Sequence, residues 1–296
     1  NVSIAVKNFH IDENTDSEDF RSLFSEEVDL SLNNYVFSIA DGKYNIVADR
    51  INFNTSREEI ITSNVRLTPS RRAGVKTQIS AVIPTLSFTG VDLESFLFEN
   101  NLSLQKVKFS GSSVNILVDR DIENDDENDR SRNRERTLPK TINVVSIDTV
   151  SAENANFNLS YQELGNRSEL VNTGINLSIF DFMLDSAVLA KGDISGFFGG
   201  LALDVDEFWL TLSDSVHKVT FTKVALDTRY EGILLNNLRI IPNTLFGKPG
   251  FPVLSGHIPT ALIKTSALAD IQMRKDLWIS ELRLFRPDIE IFLDEV

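Results

Sequence analysis

The chain has 296 residues, with 29 Lys and Arg against 43 Asp and Glu, which gives a formal net charge of −14. This acidic excess argues against a nucleic-acid-binding protein, because phosphate recognition needs a concentrated basic surface. The absence of cysteine excludes disulfides, thiolate metal sites and cysteine nucleophiles. The length suits one large domain or two ordinary ones.

The two ends of the sequence indicate a fragment of a longer protein. The chain opens with Asn1 and has no basic-then-apolar leader. No stretch reaches the roughly 18 apolar residues that a transmembrane helix needs. Because both ends have strand-like patterns, we expect an ordered fragment, with any membrane anchor outside it.

Most of the chain alternates apolar and polar residues, which predicts β-strands with one apolar face. The alternation is clearest at residues 28–32 and 175–179. In four places the apolar parity then shifts by one residue, as between Leu32 and Tyr35. A strand that keeps one face buried needs an extra residue at such a shift, so the pattern predicts β-bulges and a curved sheet.

The sequence predicts only a few short helices, at residues 91–99 and 266–274, with one further helical turn at 20–25. Residues 120–140 are almost entirely charged or amide-bearing. Such a segment cannot bury enough apolar surface to order itself, so we expect a mobile loop there.

An internal repeat organises the rest of the chain. Residues 44–69 align without gaps with residues 217–242. After a two-residue insertion, residues 83–119 align with residues 258–294. The same parity shifts recur in both copies, which predicts two tandem curved sheets.

A smaller pattern of strand, short break and second strand occurs three times, at residues 102–118, 143–159 and 277–293. The breaks carry Ser-Gly, Glu-Asn and Arg-Pro, which are turn or bulge signals. The middle copy predicts that residues 141–161 pair onto the same sheet. The predicted organisation is therefore a first β-groove repeat at 1–119, the loop at 120–140, a bridging strand pair at 141–173 and a second repeat at 174–296.

Two stretches resemble a known family. The sequence LRLFRPDIEI at residues 282–291 resembles the AsmA-like family of Gram-negative envelope proteins. The sequence SDSVHKV at residues 213–219, followed by ALDT, is similar to the Bacteroidetes branch of that family. The resemblance covers nearly the whole chain apart from the charged loop. It implies a taco-shaped β-groove with an apolar interior, a place in the periplasm, and a part in lipid transport and outer membrane biogenesis.

The fold class expected from pattern and resemblance is an elongated, mostly antiparallel curved β-sheet. Its apolar face must be covered by a second sheet, by closure into a barrel or by lipid. The lipid-filled groove implies a non-enzymatic bridge segment that carries phospholipid or another acyl lipid between the inner and outer membranes without a cofactor. The alternative is a structural or interaction module of an envelope or cell-surface assembly. Candidate groove residues are Leu30, Leu32, Phe37, Ile39 and Phe53, with counterparts Leu203, Val205, Leu210, Leu212 and Leu226.

No pattern of catalytic or metal-binding residues emerges from the sequence. His10, His217 and His257 lie far apart and match neither a metal-ligand spacing nor a catalytic triad. The acidic run at 119–130 fits the first calcium-ligand positions of an EF-hand, but it lacks the required Gly and Glu. We therefore expect no catalytic residue and no metal site.

Overall fold

The computed structural model describes residues 1–11, 25–39, 42–70, 76–92, 95–96, 99–122, 142–185, 197–211, 217–242, 253–265 and 279–292. β-Strands account for most of them. The strands are β1 (Val2–Lys7), β2 (Glu27–Ile39), β3 (Tyr44–Asn54), β4 (Glu59–Pro69), β5 (Thr77–Thr89), β6 (Asn101–Ser110), β7 (Ser113–Asp119), β8 (Val144–Glu163), β9 (Asn166–Asp185), β10 (Gly200–Thr211), β11 (His217–Asp227), β12 (Gly232–Pro242), β13 (Val253–Lys264), β14 (Glu281–Phe285) and β15 (Asp288–Phe292).

The fifteen strands form one mixed sheet in the order β1-β2-β3-β4-β5-β6-β8-β9-β10-β11-β12-β13-β14, with β7 beside β5 and β8, and β15 beside β13. The mostly-β fold predicted from the alternation is confirmed. β8 departs from the expected antiparallel arrangement, because it runs parallel to both β6 and β7. Parallel neighbours need a connection of a dozen or more residues, and the segment between β7 and β8 has that length.

Helical structure is sparse among the described residues. Ser95, Phe96 and Glu99 are helical, within the helix predicted at 91–99. A short 3₁₀ turn at Thr228–Tyr230 follows β11. The helix predicted at 266–274 and most of the loop predicted at 120–140 lie outside the described residues, as does nearly all of the turn predicted at 20–25.

Two compact units divide the chain. Unit 1 comprises Asn1–Leu170 and Ser178–Gly199, and unit 2 comprises Val171–Leu177 and Gly200–Val296. The long strand β9 therefore contributes residues to both. β8 lies in the sheet between β6 and β9, as predicted for residues 141–161.

The stretches that align in the sequence have matching strand registers and matching hydrogen bonds. β3 and β4 match β11 and β12 with a constant shift, so that Tyr44 opposite Pro69 becomes His217 opposite Pro242. The turn after the first strand of each pair is held in the same way. Threonine Oγ1 accepts a backbone N–H at 2.8 Å in both units, from Val28 to Thr55 and from Leu201 to Thr228.

A line of left-handed residues crosses each unit, and we call it the crease. At the crease one or two ladder pairs are missing from the register, one between the pairs Asn33–Arg50 and Tyr35–Ala48 and two between the pairs Val47–Arg66 and Arg50–Ser63. Positive φ occurs there on β2, β4, β8, β10 and β12 and at the breaks between β6 and β7 and between β14 and β15. This is a sparsely populated conformation for residues other than glycine. The crease residues with positive φ are Asn34, Asn64, Gly111 and Asn154 in unit 1 and their equivalents Glu207, Asn237 and Arg286 in unit 2.

The crease explains two of the four parity shifts in the sequence, those at Asn34 and Glu207. The other two shifts also occur at residues with positive φ, Asn8 and Asp181, but these residues lie away from the crease. The predicted extra residue is wrong where the register is described. Asn34 lies opposite one residue of β3, so neither strand is longer than its neighbour. Neighbouring strands shift parity at the same line, and the register is preserved through it.

The main buried cluster of the described residues lies in unit 1. Its centre is Val91, Leu104 and Val107, which are 4%, 6% and 4% exposed. Gly90 leads the chain into this cluster with a φ of 63°. A side chain there would collide with Gln105, whose Cβ would lie 2.7 Å from an added Cβ. Partly buried residues that pack on the cluster are Ile60, Leu86, Phe88, Leu102, Phe109, Ile147 and Val150.

Candidate functional site

The predicted groove residues nearest the chain start belong to a continuous line of apolar side chains. Leu30 lies opposite Phe53 in the register of β2 and β3. Side chains that are directly opposite each other point to the same face and have Cβ atoms about 4.5–5.5 Å apart. Following the registers from strand to strand gives the first apolar row: Ile4, Leu30, Phe53, Ile60, Phe88, Val107 and Val150.

Unit 2 repeats this arrangement. Leu203 lies opposite Leu226, which are the predicted counterparts of Leu30 and Phe53. The second apolar row continues over five strands and consists of Leu203, Leu226, Ile233, Ile263 and Leu282. Each member is the repeat equivalent of a member of the first apolar row, so the same line of apolar contacts occurs in both units.

A second line of residues runs beside each apolar row on the same face, two residues away along each strand. In unit 1, Leu32 pairs with Ile51, and in unit 2, Val205 pairs with Val224. Thr62 continues this line on β4, and its Oγ1 donates to the Leu86 carbonyl at 3.2 Å. The Thr62 hydroxyl therefore has a partner within the protein, and the face beside the first apolar row remains apolar.

The other predicted groove residues lie beyond the crease. Phe37 pairs with Ile46 and Ile39 pairs with Tyr44, and these β2 side chains are 40% and 38% exposed. The Phe37 ring contacts Tyr35 with 5.8 Å between ring centroids. Leu210 pairs through its backbone with Val219, and Leu212 lies outside the described residues.

Exposure varies along the first apolar row. Val107 is buried under Val91, whereas Ile4 on the edge strand β1 is 63% exposed. Leu30, Phe53 and the members of the second apolar row on β10 to β13 are half-buried. Apolar area that a protein leaves accessible in a contiguous line is typical of a surface that contacts another apolar partner.

Charged residues occupy the alternate positions of the same strands. Lys7 Nζ lies 2.5 Å from Glu27 Oε2, and Asn54 also donates to Glu27 at 2.7 Å. The Lys7 hydrogen bond lowers the pKa of the Glu27 carboxyl below its usual range. Lys108 does the same to the pKa of Glu153, at 2.6 Å. These pairs satisfy one another on the polar face and do not converge on the apolar rows.

A polar cleft lies beside the buried cluster and was not predicted from the sequence. Glu58, Asp92 and Asp148 are among its lining residues. The Ser103 and Ser146 hydroxyls, also in its wall, hydrogen-bond to each other at 2.8 Å. The described lining of the cleft contains no histidine or lysine.

His217 and His257 have hydrogen-bonding partners within unit 2. His217 is buried, and its Nε2 accepts the N–H of Leu254 at 2.9 Å. His257 Nε2 lies 3.5 Å from the amide oxygen of Asn237. Within the described ranges no three metal-ligating side chains cluster, and no helix has the length and apolarity to cross a bilayer.

The alternation in the sequence did not reveal several members of the rows. Ile60, Phe88 and Val107 were not among the predicted groove residues, although the register places them in line with Leu30. The signal that could have found them was the repeat, since Ile60 aligns with Ile233. The repeat shows that the two residues are equivalent, but only the register with the neighbouring strands shows which side chains they contact.

Comparison with known proteins finds neither a protein-family model nor a curated protein that matches this chain. The AsmA-like resemblance therefore stays a prediction that depends on the residues quoted for it.

Proposed function

We propose that this chain is a non-enzymatic lipid-binding segment that carries acyl chains along its apolar rows. The observation that carries the proposal is the continuity of the first apolar row across seven strands. The buried cluster around Val91 covers the row near Val107, so the stretch open to an acyl chain is at Ile4, Leu30 and Phe53. With about 4.8 Å between neighbouring strands, that row is about 29 Å long. Its repetition in unit 2 supports a surface that serves the same ligand twice.

The proposed mechanism is passive. Each methylene removed from water gains about 0.8 kcal/mol, so a row of Leu, Ile, Phe and Val side chains binds an acyl chain without polar anchors. Headgroups remain in water, where the charged pairs of the strands are already satisfied by one another. Because no polar group in the rows fixes one position, the lipid can slide along them, and no cofactor is required.

The resemblance supplies the proposed setting. We propose a periplasmic segment of a Gram-negative cell envelope that passes phospholipid or another acyl lipid between the inner and outer membranes. Its anchoring and its envelope protein partners belong to the same proposal.

The test compares two neighbouring substitutions on β2. Leu30→Lys places a charge in the first apolar row, whereas Ser31→Lys places it on the opposite face, where Ser31 now bonds Asn52 at 2.8 Å. Native mass spectrometry and lipid extraction on chains purified from a Gram-negative host measure co-purified phospholipid. A vesicle assay measures transfer of a fluorescent phospholipid.

We expect lipid to be bound by the unchanged chain and by Ser31→Lys, and to be lost from Leu30→Lys while its circular dichroism stays the same. A lipid-free unchanged chain refutes the proposal. Equal lipid content in the two variants refutes the assignment to this face. If Leu30→Lys only unfolds the chain, Leu30 is an ordinary core residue.

The alternative function is a structural or interaction module of an envelope assembly. The observation that favours it is the exposure of apolar side chains on the edge strands, with Val2 67% and Ile291 63% exposed. A lipid-free chain that unfolds cooperatively would make this alternative the better proposal.

A further inference from the structure

The strands β14 and β15 form an edge of the sheet, since β13 is their only partner among the described residues. Their equivalents in unit 1, β6 and β7, likewise pair with one long strand, β5. The registers agree, because Thr85 opposite Ser110 becomes Thr260 opposite Phe285. In unit 1, however, the outer edge of β6 and β7 binds β8 in parallel.

We infer that the outer edge of β14 and β15 is a binding site for an extended polypeptide strand that lies parallel to it, as β8 lies along β6 and β7. The occupant has apolar residues at alternate positions on either side of one left-handed residue. This inference concerns a polypeptide partner and stands independently of lipid binding.

The apolar pairing of β8 can be reproduced at this edge. Val107 faces Val150 and Val114 faces Phe157 in the parallel register of unit 1. Leu282 occupies the position of Val107 and is 54% exposed. An edge strand that combines open backbone groups with exposed apolar side chains is a template for strand addition.

The backbone at the break between β14 and β15 fits as well. In unit 1 the N–H of Gly111 donates to a β8 carbonyl at 3.0 Å, and a β8 N–H donates to the Ser112 carbonyl at 2.8 Å. Arg286, at the position of Gly111, has a φ of 50° against 63°. Pro287 stands at the position of Ser112, and a proline can supply the carbonyl that this position uses.

The charges at this edge correspond only in part. Lys108 Nζ lies 2.6 Å from Glu153 Oε2 and ties β6 to β8. Arg283 occupies the position of Lys108 in the repeat, and it is paired with Glu281 of its own strand. An acidic residue of a strand like β8 therefore competes with Glu281 for Arg283, so the inference depends on the backbone register and the apolar contacts.

The test uses a synthetic peptide of residues 142–163, which contains β8, added to the full chain. Because the chain has no cysteine, single cysteines report the register without background. We expect a disulfide between Leu282→Cys in the chain and Val150→Cys in the peptide. We also expect one between Glu290→Cys and Asn158→Cys, the equivalent of the Asn115–Asn158 pair. The two mismatched combinations should not cross-link.

Cross-linking of the mismatched combinations instead would indicate an antiparallel strand and overturn the inference. Equal yields in all four combinations, or yields no higher than with a scrambled peptide, overturn it too. Both chain positions are exposed, and circular dichroism checks that the variants fold. An independent measurement is the fluorescence anisotropy of labelled peptide on the cysteine-free chain. We expect Ile291→Lys to weaken binding at least tenfold, and unchanged binding would refute this edge as the site.

Discussion

Replacing Thr55 by valine tests how much its buried side-chain hydrogen bond stabilises the chain. The backbone N–H of Thr55, which donates to the Val28 carbonyl at 3.1 Å, remains in the variant. Thr55 Oγ1 accepts the N–H of Val28 at 2.8 Å, and the two residues are 6% and 7% exposed. Valine keeps the shape of threonine but offers no acceptor. The Val28 N–H then loses its partner at a point that water does not reach.

An unsatisfied buried donor costs about 1–3 kcal/mol. For a domain of roughly 150–250 residues each kcal/mol lowers Tm by about 2–4 °C, so we expect a decrease of about 2–12 °C. Thermal unfolding followed by circular dichroism measures this loss. Hydrogen exchange should show faster exchange of the Val28 amide in the variant.

Two controls separate the hydrogen bond from packing. Thr55→Ser keeps the acceptor and should lose less stability than Thr55→Val. Thr228→Val removes the equivalent acceptor for Leu201 at 2.8 Å, but both of those residues are half-buried, so we expect less than half the loss. Equal losses for serine and valine at position 55 would refute the hydrogen bond as the cause.

Two further predictions concern unit 2. Glu207→Asn should stabilise the chain by about 0.5–1 kcal/mol, because Glu207 has a φ of 42° and asparagine, which Asn34 provides in unit 1, tolerates that conformation better. Chemical denaturation measures the free energy of unfolding of each variant. Glu207→Ala removes the same side chain but does not favour positive φ, so an equal gain in stability for this variant would contradict the reasoning. The second prediction concerns Asp227→Asn, which keeps an acceptor for the Arg229 N–H but removes the charge. In the unchanged chain, the side-chain hydrogen bond from Arg229 holds the pKa of Asp227 below its usual range. The charge therefore stabilises the fold above the unfolded pKa of about 3.9, and this is lost as pH falls through the lower folded value. Measured between pH 7 and 3, the Tm difference between the unchanged chain and Asp227→Asn should shrink toward the acid end, and a constant difference would show that the charge has no part in it.

Two of the parity shifts noted in the sequence mark residues of the crease, although the sequence attributed them to β-bulges. A left-handed residue shifts the apolar parity of its strand by one, and that shift is visible at Asn34 and Glu207. Residue type alone would have missed Glu207 and Arg286, since glutamate and arginine are not typical of positive φ. The parity of one strand could not show whether that strand had gained a residue or whether two neighbouring strands had shifted together. Only the register between the two strands distinguishes these cases.

Strand direction and the membership of the rows could not be predicted from single strands. Alternation is the same whichever way a strand runs, so the parallel pairing of β8 left no signal in its own residues. Leu30 and Phe53 were both predicted as groove residues from parity, but their direct opposition is a property of the β2–β3 register. The candidate site was therefore predicted as a set of positions, and the structure supplied their order.

The crease also constrains how the two units can change in length. The crease divides each strand into two segments, which we call arms. The pairing register of each arm is the same in the two repeats. Losing one residue within an arm would turn all apolar side chains beyond it to the other face in that strand alone, against unchanged neighbours. The two-residue difference between the repeats falls between β4 and β5, and between β12 and β13, where strands connect rather than pair. Insertions and deletions are thus restricted to the ends of the strands.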